Sequence, residues 1–350
     1  MDGDLTPGSA PFAPPEAARI GVVIPYFQRE AGLLTRALCS VAAQEHSPVQ
    51  VIVVDDGSPH PAAEELTPAL RDALPGLTLI RQPNNRGIAA ARNTALGALA
   101  ANVTAVALLD SDDYWESSHL RNAAVALSLG ADFFFSNSRS EGDPADHFQQ
   151  PARRRLLSQG QPVQEAPGIA RWAESVHALM GAACPFMTAT VVFRRALMPE
   201  LRFSEKFRRA GEDQAAFWQL LARSTLIMYN TRPTVVYGSG GVGTWKKSTF
   251  GSTAHLVRLA DEIHLRRHVL SSYPVSAGDR RLMRRAIAAR RRMALYSALH
   301  LVRLGQEDAL SEIRYLLRAD PVCAASWCLN LPKFVYRWVR GVPITTEWTG

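Results

Sequence analysis

The sequence is poor in the features that mark several protein classes. Only four cysteines occur in 350 residues, Cys39, Cys184, Cys323 and Cys328, with no CxxC pair and no zinc-like Cys/His spacing. This excludes a disulfide framework and a structural metal as the basis of the fold, and a reducing compartment is expected. No run of about 18 apolar residues occurs; the nearest candidates, 98–109 and 324–339, are short or broken by Asn102, Asn330, Pro332 and Lys333. The chain is therefore not expected to span a membrane. Met1 to Ala18 lacks the basic flank and apolar centre of a signal peptide and, being acidic and rich in Pro and Gly, reads as a disordered leader.

What is present is a globular composition, 47% hydrophobic and 20% charged, which rules out disorder, collagen and coiled coil for the whole chain. The length allows two domains, or one large domain with a helical annex. Charge is uneven along it. Residues 251–350 carry 16 basic and 8 acidic side chains, net +8, whereas 1–250 carry 23 and 24, net −1. The expected division is a leader at 1–18, a catalytic domain at 19–250 and a helical, basic region at 251–350. No internal repeat is evident.

Apolar strands alternate with helical periodicity along the first half. Ile20 to Pro25 and Val49 to Val54 are continuous β-branched runs, separated by Leu33, Leu34, Ala37, Leu38, Val41 and Ala42 at helical spacing. Leu77–Ile80 and Thr104–Leu109 read as further strands around an Ala-rich helix over 87–101. A helix over 118–129 and an aromatic strand over 132–136 follow. The stretch 138–167, with Gly142, Pro144, Pro151 and Pro162 around Arg153-Arg154-Arg155, reads as a mobile loop. A helix is predicted near 169–180, a strand at 188–193 and a helix beginning at Gly211-Glu212-Asp213. Strands that discharge polar residues at their C-terminal ends imply an open parallel α/β sheet with its ligand crevice beyond those ends.

The acidic groups sit where that rule places a ligand. Asp110, Asp112 and Asp113 repel one another at the end of one strand unless a cation neutralises them, and carboxylate oxygens suit Mg²⁺ or Mn²⁺ with a metal-bound diphosphate. A solvated turn capping the next helix is the simpler alternative. Asp55-Asp56-Gly57-Ser58 ends a neighbouring strand in the same way, so two acidic clusters should converge. Pro25-Tyr26 ends the first strand and could present an aromatic face to a base, a partly exposed packing tyrosine being the alternative. Asn85-Arg86-Gly87 and Arg92 place cations and amides near a helix start, a setting for an anion. Glu212 and Asp213 open a helix, where the macrodipole alone favours acids; in a crevice, Asp213 could instead take a proton from an attacking hydroxyl.

These segments together resemble the family 2 glycosyltransferases with a GT-A fold: Val22 to Glu30, Val54 to Ser58, Asn85 to Asn93, Leu109 to Trp115 and Gly211 to Asp213, in this order over roughly residues 20–230. The opening segment is also similar to glucosyltransferases of bacterial exopolysaccharide assembly, the succinoglycan type. The resemblance implies a Rossmann-like, mostly parallel sheet with flanking helices, and inverting transfer from a nucleotide sugar, preferably UDP-glucose. By that analogy Pro25, Tyr26, Asp55 and Asp56 hold base and ribose, Arg92 fixes the nucleotide, Asp110 faces ribose and metal, Asp112 ligates Mg²⁺ or Mn²⁺, and Asp213 is the base. The family's basic motif after the base is missing; Lys246 and Lys247, in a Gly-rich stretch, are its candidate replacements at the diphosphate.

In the tail, Arg266, Arg267, Arg280, Arg281, Arg284, Arg285 and Arg290–Arg292 interleave with apolar residues, followed by Trp327, Lys333, Phe334, Tyr336, Arg337, Trp338 and Arg340. Such a pattern suits an anionic membrane surface. A helix face packed on the catalytic domain is the alternative, and no nucleic-acid-binding motif accompanies the charge. The expectation is a cytoplasmic enzyme, peripheral on the inner face of the cytoplasmic membrane, acting on a polyprenyl-diphosphate-linked oligosaccharide. Two rivals are a sugar-phosphate nucleotidyltransferase, which would carry a Gly-rich phosphate loop where Pro25-Tyr26-Phe27 stands, and a non-catalytic sugar-binding scaffold.

Overall fold

The computed structural model describes residues 18–74, 76–173, 180, 184–208, 210–240 and 251–339. Its first half is built as the alternation predicts: β1 Ile20–Tyr26, α1 Leu33–Ala42, β2 Gln50–Asp55, α2 Pro68–Ala73, β3 Leu77–Arg81, α3 Ile88–Gly97 and β4 Ala105–Leu108. After the short β5 Tyr114–Trp115 come α4 His119–Ser128, β6 Phe133–Ser140, α5 Pro151–Leu157, β7 Gln161–Pro162, β8 Ile169–Arg171, β9 Val191–Arg194, α6 Glu212–Leu221 and β10 Ile227–Tyr237. All ten strands join one sheet, ordered β3-β2-β1-β4-β9-β6-β10-β8-β7 with β5 on β10.

β3, β2, β1 and β4 are mutually parallel. Beyond them the sheet is mixed, because β9 runs antiparallel to both β4 and β6, and β8 antiparallel to β10. Alternate residues of each strand feed two cores. Val23, Ile52, Val54 and Leu108 face α3 and α6, while Val22, Ile24, Val53 and Ala107 face α1 and α4. Burial on both faces explains the unbroken apolar runs in the sequence.

Two segments differ from expectation. Residues 169–171, read as the start of a helix, form β8, because their backbone pairs with Met228–Asn230; the rest of that predicted helix falls mainly outside the described residues. The stretch 138–167 is more ordered than a mobile loop. β6 continues to Ser140 by pairing with β10 as far as Tyr237, Asp146 caps a short turn by accepting from Gln149 N, and the basic run 153–155 lies in α5.

The basic region folds into four helices, α7 Thr253–Ser272, α8 Ala277–Arg303, α9 Ala309–Ala319 and α10 Val322–Val339. Ser252 and Ser276 cap the first two, each accepting from the N–H three residues on. Leu256, Ile263, Ala294, Leu301, Leu316 and Cys323 share a core of their own, while Leu265 and Val269 pack into the core under α6 and bind the annex to the sheet domain. No helix among the described residues is long and apolar enough to cross a membrane.

Two buried histidines set an acid limit on this fold. His119 is stacked on Trp115 with centroids 4.6 Å apart and meets Thr234 Oγ1 at 3.0 Å; His255 meets Ser297 Oγ at 3.1 Å across α7 and α8. Burial lowers their pKa values to about 3 and about 4. The unfolded chain protonates both below about pH 6.5, so stability is full above that pH and falls as pH drops toward 4, by roughly 1.4 kcal/mol per unit for each ring. Denaturant midpoints should decline from pH 7 to 5, and His119→Gln should flatten the decline. An unchanged slope in the variant would remove His119 from the explanation.

Candidate active site

β1, β2 and β4 end side by side, and their loops are fastened to one another. The backbone N–H of Gln28 donates to Ser58 Oγ, and its side-chain amide donates to Ser111 Oγ, both at 3.2 Å. One buried glutamine thus joins the turns after all three strands. Gly57, with φ +69°, turns the β2 loop where a Cβ would come within 3.0 Å of the backbone at Asn84 and Asn85.

The two aspartates of that loop shape it from within. Asp55 accepts from Ser58 N (2.7 Å), Ala62 N (3.0 Å) and Arg81 Nη1 (2.9 Å). Asp56 accepts from Arg86 N (2.8 Å) and Gly87 N (2.7 Å), satisfying donors at the start of α3. Burial raises the pKa of Asp56, and the bonds from Arg86 and Gly87 oppose the rise. Pro25 is buried in β1. Tyr26 is 1% exposed and its hydroxyl donates to Glu65 Oε1 at 2.9 Å, so it offers no ring face to a base; this corrects the expected stacking. Glu65 also accepts from Gly32 N and Thr35 N, and so caps α1 from a distant turn.

Arg92 projects from α3 and is 1% exposed. Its Nη2 donates to Asp110 Oδ1 at 2.7 Å, its Nη1 donates to Glu212 Oε1 at 2.9 Å, and the guanidinium lies 5.2 Å over the Phe203 ring. Burial alone would lower its pKa, but Asp110, Glu212 and Asp213 hold it above the ordinary value and fully charged. The end of β4 and the start of α6, about a hundred residues apart in sequence, are therefore joined through one cation. Arg92 binds protein carboxylates, so any part it takes in fixing a nucleotide runs through Asp110 and Glu212.

On α6, burial and the neighbouring charge of Asp213 raise the pKa of Glu212 to about 7, with Arg92 opposing. Asp213 itself is only half-buried. Its Oδ2 accepts from Thr188 Oγ1 at 3.2 Å and its Oδ1 from Gln214 N at 2.7 Å, which fixes the carboxylate without closing it to solvent.

The acidic turn after β4 is gripped from behind. Asp113 is buried, and burial together with Asp110 and Asp112 pushes its pKa well up; Gly238 N donates to its Oδ1 at 3.1 Å. Arg36 of α1 donates to the Asp112 carbonyl (2.9 Å) and to Glu141 Oε1 (2.6 Å), and stacks 4.7 Å from the Tyr114 centroid. Glu141 in turn accepts from the N–H (2.8 Å) and hydroxyl (2.7 Å) of Ser239, bonds that hold its pKa down. Gly238 approaches so closely that a Cβ would lie 1.8 Å from the Asp112 carbonyl oxygen. Gly238→Ala should thus displace the acidic turn, weakening donor binding at least tenfold and costing about 1–3 kcal/mol of stability. Unchanged UDP affinity in that variant would show that the turn does not carry the donor.

The donor set fits a hard divalent cation in one limited way. Among the described residues no group of three or more His, Cys, Asp or Glu surrounds a common point. Asp112, with Asp110 beside it, offers carboxylate oxygens, leaving the remaining positions to phosphates and water, as Mg²⁺ and Mn²⁺ accept. Lys246 and Lys247 lie outside the described residues.

Against known proteins, a model of glycosyl transferase family 2 matches residues 21–187. Over 224 residues the chain is 33% identical to the succinoglycan biosynthesis protein ExoW of Rhizobium meliloti (strain 1021), a match spanning 64% of this chain and 70% of that protein. The chain belongs to glycosyl transferase family 2. A shorter match, 42% identical over 93 residues, links this glycosyltransferase to the succinoglycan biosynthesis protein ExoO of the same organism, covering 26% and 25% of the two chains. Its fold is shared with TarS of S. aureus, solved with UDP-GlcNAc, at TM-score 0.56 and 16% identity over 88% of this chain and 81% of that one. It is shared too with the mannosyltransferase PcManGT of Pyrobaculum calidifontis, solved with GDP-Man and Mn²⁺, at TM-score 0.52 and 17% identity over 95% and 86%.

Sequence reasoning missed Glu65, Arg36, Glu141 and Thr188 in this glycosyltransferase. Nothing local marks them: each acts on a partner at least 25 residues away.

Proposed function

We propose that this glycosyltransferase moves a sugar, glucose by preference, from a UDP-sugar to a hydroxyl of a growing polyprenyl-diphosphate-linked oligosaccharide in exopolysaccharide biosynthesis, with inversion at the anomeric carbon. The observation that carries the reading is the Arg92 bridge, which ties Asp110 after β4 to Glu212, the neighbour of Asp213 at the start of α6. The likeness to ExoW and the UDP-GlcNAc complex of TarS support the acceptor pathway and the nucleotide.

Asp213 accepts the proton of the acceptor hydroxyl as it attacks, oriented by Thr188 and by its own turn of helix. Glu212, tied to Arg92, holds the helix start rather than reacting. Asp55 and Asp56 keep the pocket for base and ribose in shape through backbone bonds. Asp112 would hold a divalent ion, which when bound would supply Lewis-acid stabilisation of the leaving diphosphate. Lys246 and Lys247 are further proposed diphosphate contacts. A lipid-linked acceptor places the enzyme at the inner face of the cytoplasmic membrane.

The test is UDP release across a panel of nucleotide sugars, with Mg²⁺, Mn²⁺ or chelator, using lipid-linked oligosaccharide from a blocked pathway. Metal-dependent release from UDP-glucose that requires acceptor is expected. No release with any UDP-sugar would overturn the reading.

A further inference from the structure

The arginines of the annex fall into two groups. Arg290 pairs with Glu262; Arg291 grips Asp320 through Nε (2.6 Å) and Nη2 (2.9 Å), and Arg267 pairs with the same aspartate, which is fully buried. Trp327 Nε1 donates to the Arg291 carbonyl at 3.1 Å, so that ring also turns inward. These side chains hold α7, α8 and α10 together, which removes Arg290, Arg291 and Trp327 from the surface role expected for them.

The second group is different. Arg280, Arg281, Arg284 and Arg285 line an open cavity of about 690 Å³ together with Val275 and Ala288. None of the four has a carboxylate within 4 Å among the described residues, and the neighbouring Asp279 is engaged by the Ser276 hydroxyl at 2.6 Å. They occupy the first three turns of a 27-residue helix, the end at which the macrodipole disfavours cations. Four mutually repelling guanidinium groups against that dipole are unfavourable for the isolated fold, and a phosphate-bearing ligand relieves both terms. Leu282, 60% exposed, lies on the flank of the arginine face, outside the cavity's lining. The site is rigidly mounted, since Tyr273, Val275 and Met283 pack against the core under α6.

We propose that this cavity seats the phosphate headgroups of anionic lipids, with Leu282 entering the interface beside them. The proposal rests on the reading that the acceptor is lipid-linked, and it names the surface that brings the enzyme there. Exposed cations flanked by an exposed apolar side chain favour a bilayer over a soluble polyanion. At an anionic leaflet each cation is worth roughly a fivefold gain in partitioning, so the four together give several-hundred-fold.

The full chain is sedimented with vesicles of phosphatidylcholine alone and of phosphatidylcholine with phosphatidylglycerol, at low and high NaCl. The wild type is expected to pellet only with the anionic vesicles and to release with salt. R280Q/R281Q/R284Q/R285Q should stay in the supernatant while melting at or above the wild-type temperature, since it loses the repulsion and the unfavourable dipole. R290Q/R291Q should melt lower yet pellet below its melting point. A wild type indifferent to anionic vesicles, a quadruple variant that pellets like it, or a folded R290Q/R291Q that fails to pellet would each overturn the proposal. So would binding of inorganic pyrophosphate through these arginines without vesicle binding, which would assign the cavity to a soluble phosphate. UDP release on acceptor dispersed in detergent is unaffected by the quadruple change, so loss of that activity in the wild type contradicts the proposed function and not this site.

Discussion

Asp213→Asn is expected to lower the rate of sugar transfer by about 10²–10⁴-fold, the range for loss of a positioned general base, with UDP affinity close to unchanged. The amide keeps the size of the side chain and can still accept from Thr188, but it cannot take the acceptor's proton. Thr188→Val should have a smaller effect of the same kind: the carboxylate remains, bonded only to Gln214 N, and its orientation is lost in part. Turnover is read as UDP release under saturating donor, and affinity by calorimetric titration of UDP. A fall in affinity matching the fall in rate would place Asp213 in the donor pocket and leave the base unassigned.

Arg92→Met should be the most damaging change to the fold of the site. It preserves length and apolar bulk over Phe203 but leaves Asp110 and Glu212 without their shared cation. Breaking a buried ion pair by removing one partner costs about 3–5 kcal/mol, because the remaining charge must be neutralised or rehydrated. Arg92→Lys should recover part of this, since one ammonium cannot reach both carboxylates with the geometry of a planar fork. Urea denaturation measures the stability loss; donor titration on the folded fraction measures the site. If Arg92→Met proved as stable as the wild type, the guanidinium would not be what joins β4 to α6.

The fold was legible wherever apolar burial on two faces produced continuous runs, as in β1, β2 and β4, and wherever helical spacing was regular, as in α1 and α4. It was less so where long-range pairing decides. Ile169 to Arg171 has no strand pattern of its own and becomes β8 only because Met228 to Asn230 lies beside it. The same holds in the site. Strand ends alone put the aspartates of β2 and β4 in turns that Gln28 joins, but their individual duties were not legible. Asp55 and Asp56 turn out to accept backbone N–H groups, Tyr26 is claimed by Glu65, and Arg92 by Asp110 and Glu212. Each of these depends on partners that no local pattern announces. In the tail, composition revealed the charge, yet only the positions of Glu262 and Asp320 separate arginines that hold helices together from those left facing a cavity.

The proposed donor pocket rests on Asp112 as its anchor for a metal-bound diphosphate. Calorimetric titration of UDP into the wild type and into Asp112→Asn, each with Mn²⁺ and with chelator, isolates that claim from any acceptor. The account predicts tight binding only for the wild type with Mn²⁺, and weak binding in the other three cases. Equal UDP affinity in all four would contradict it.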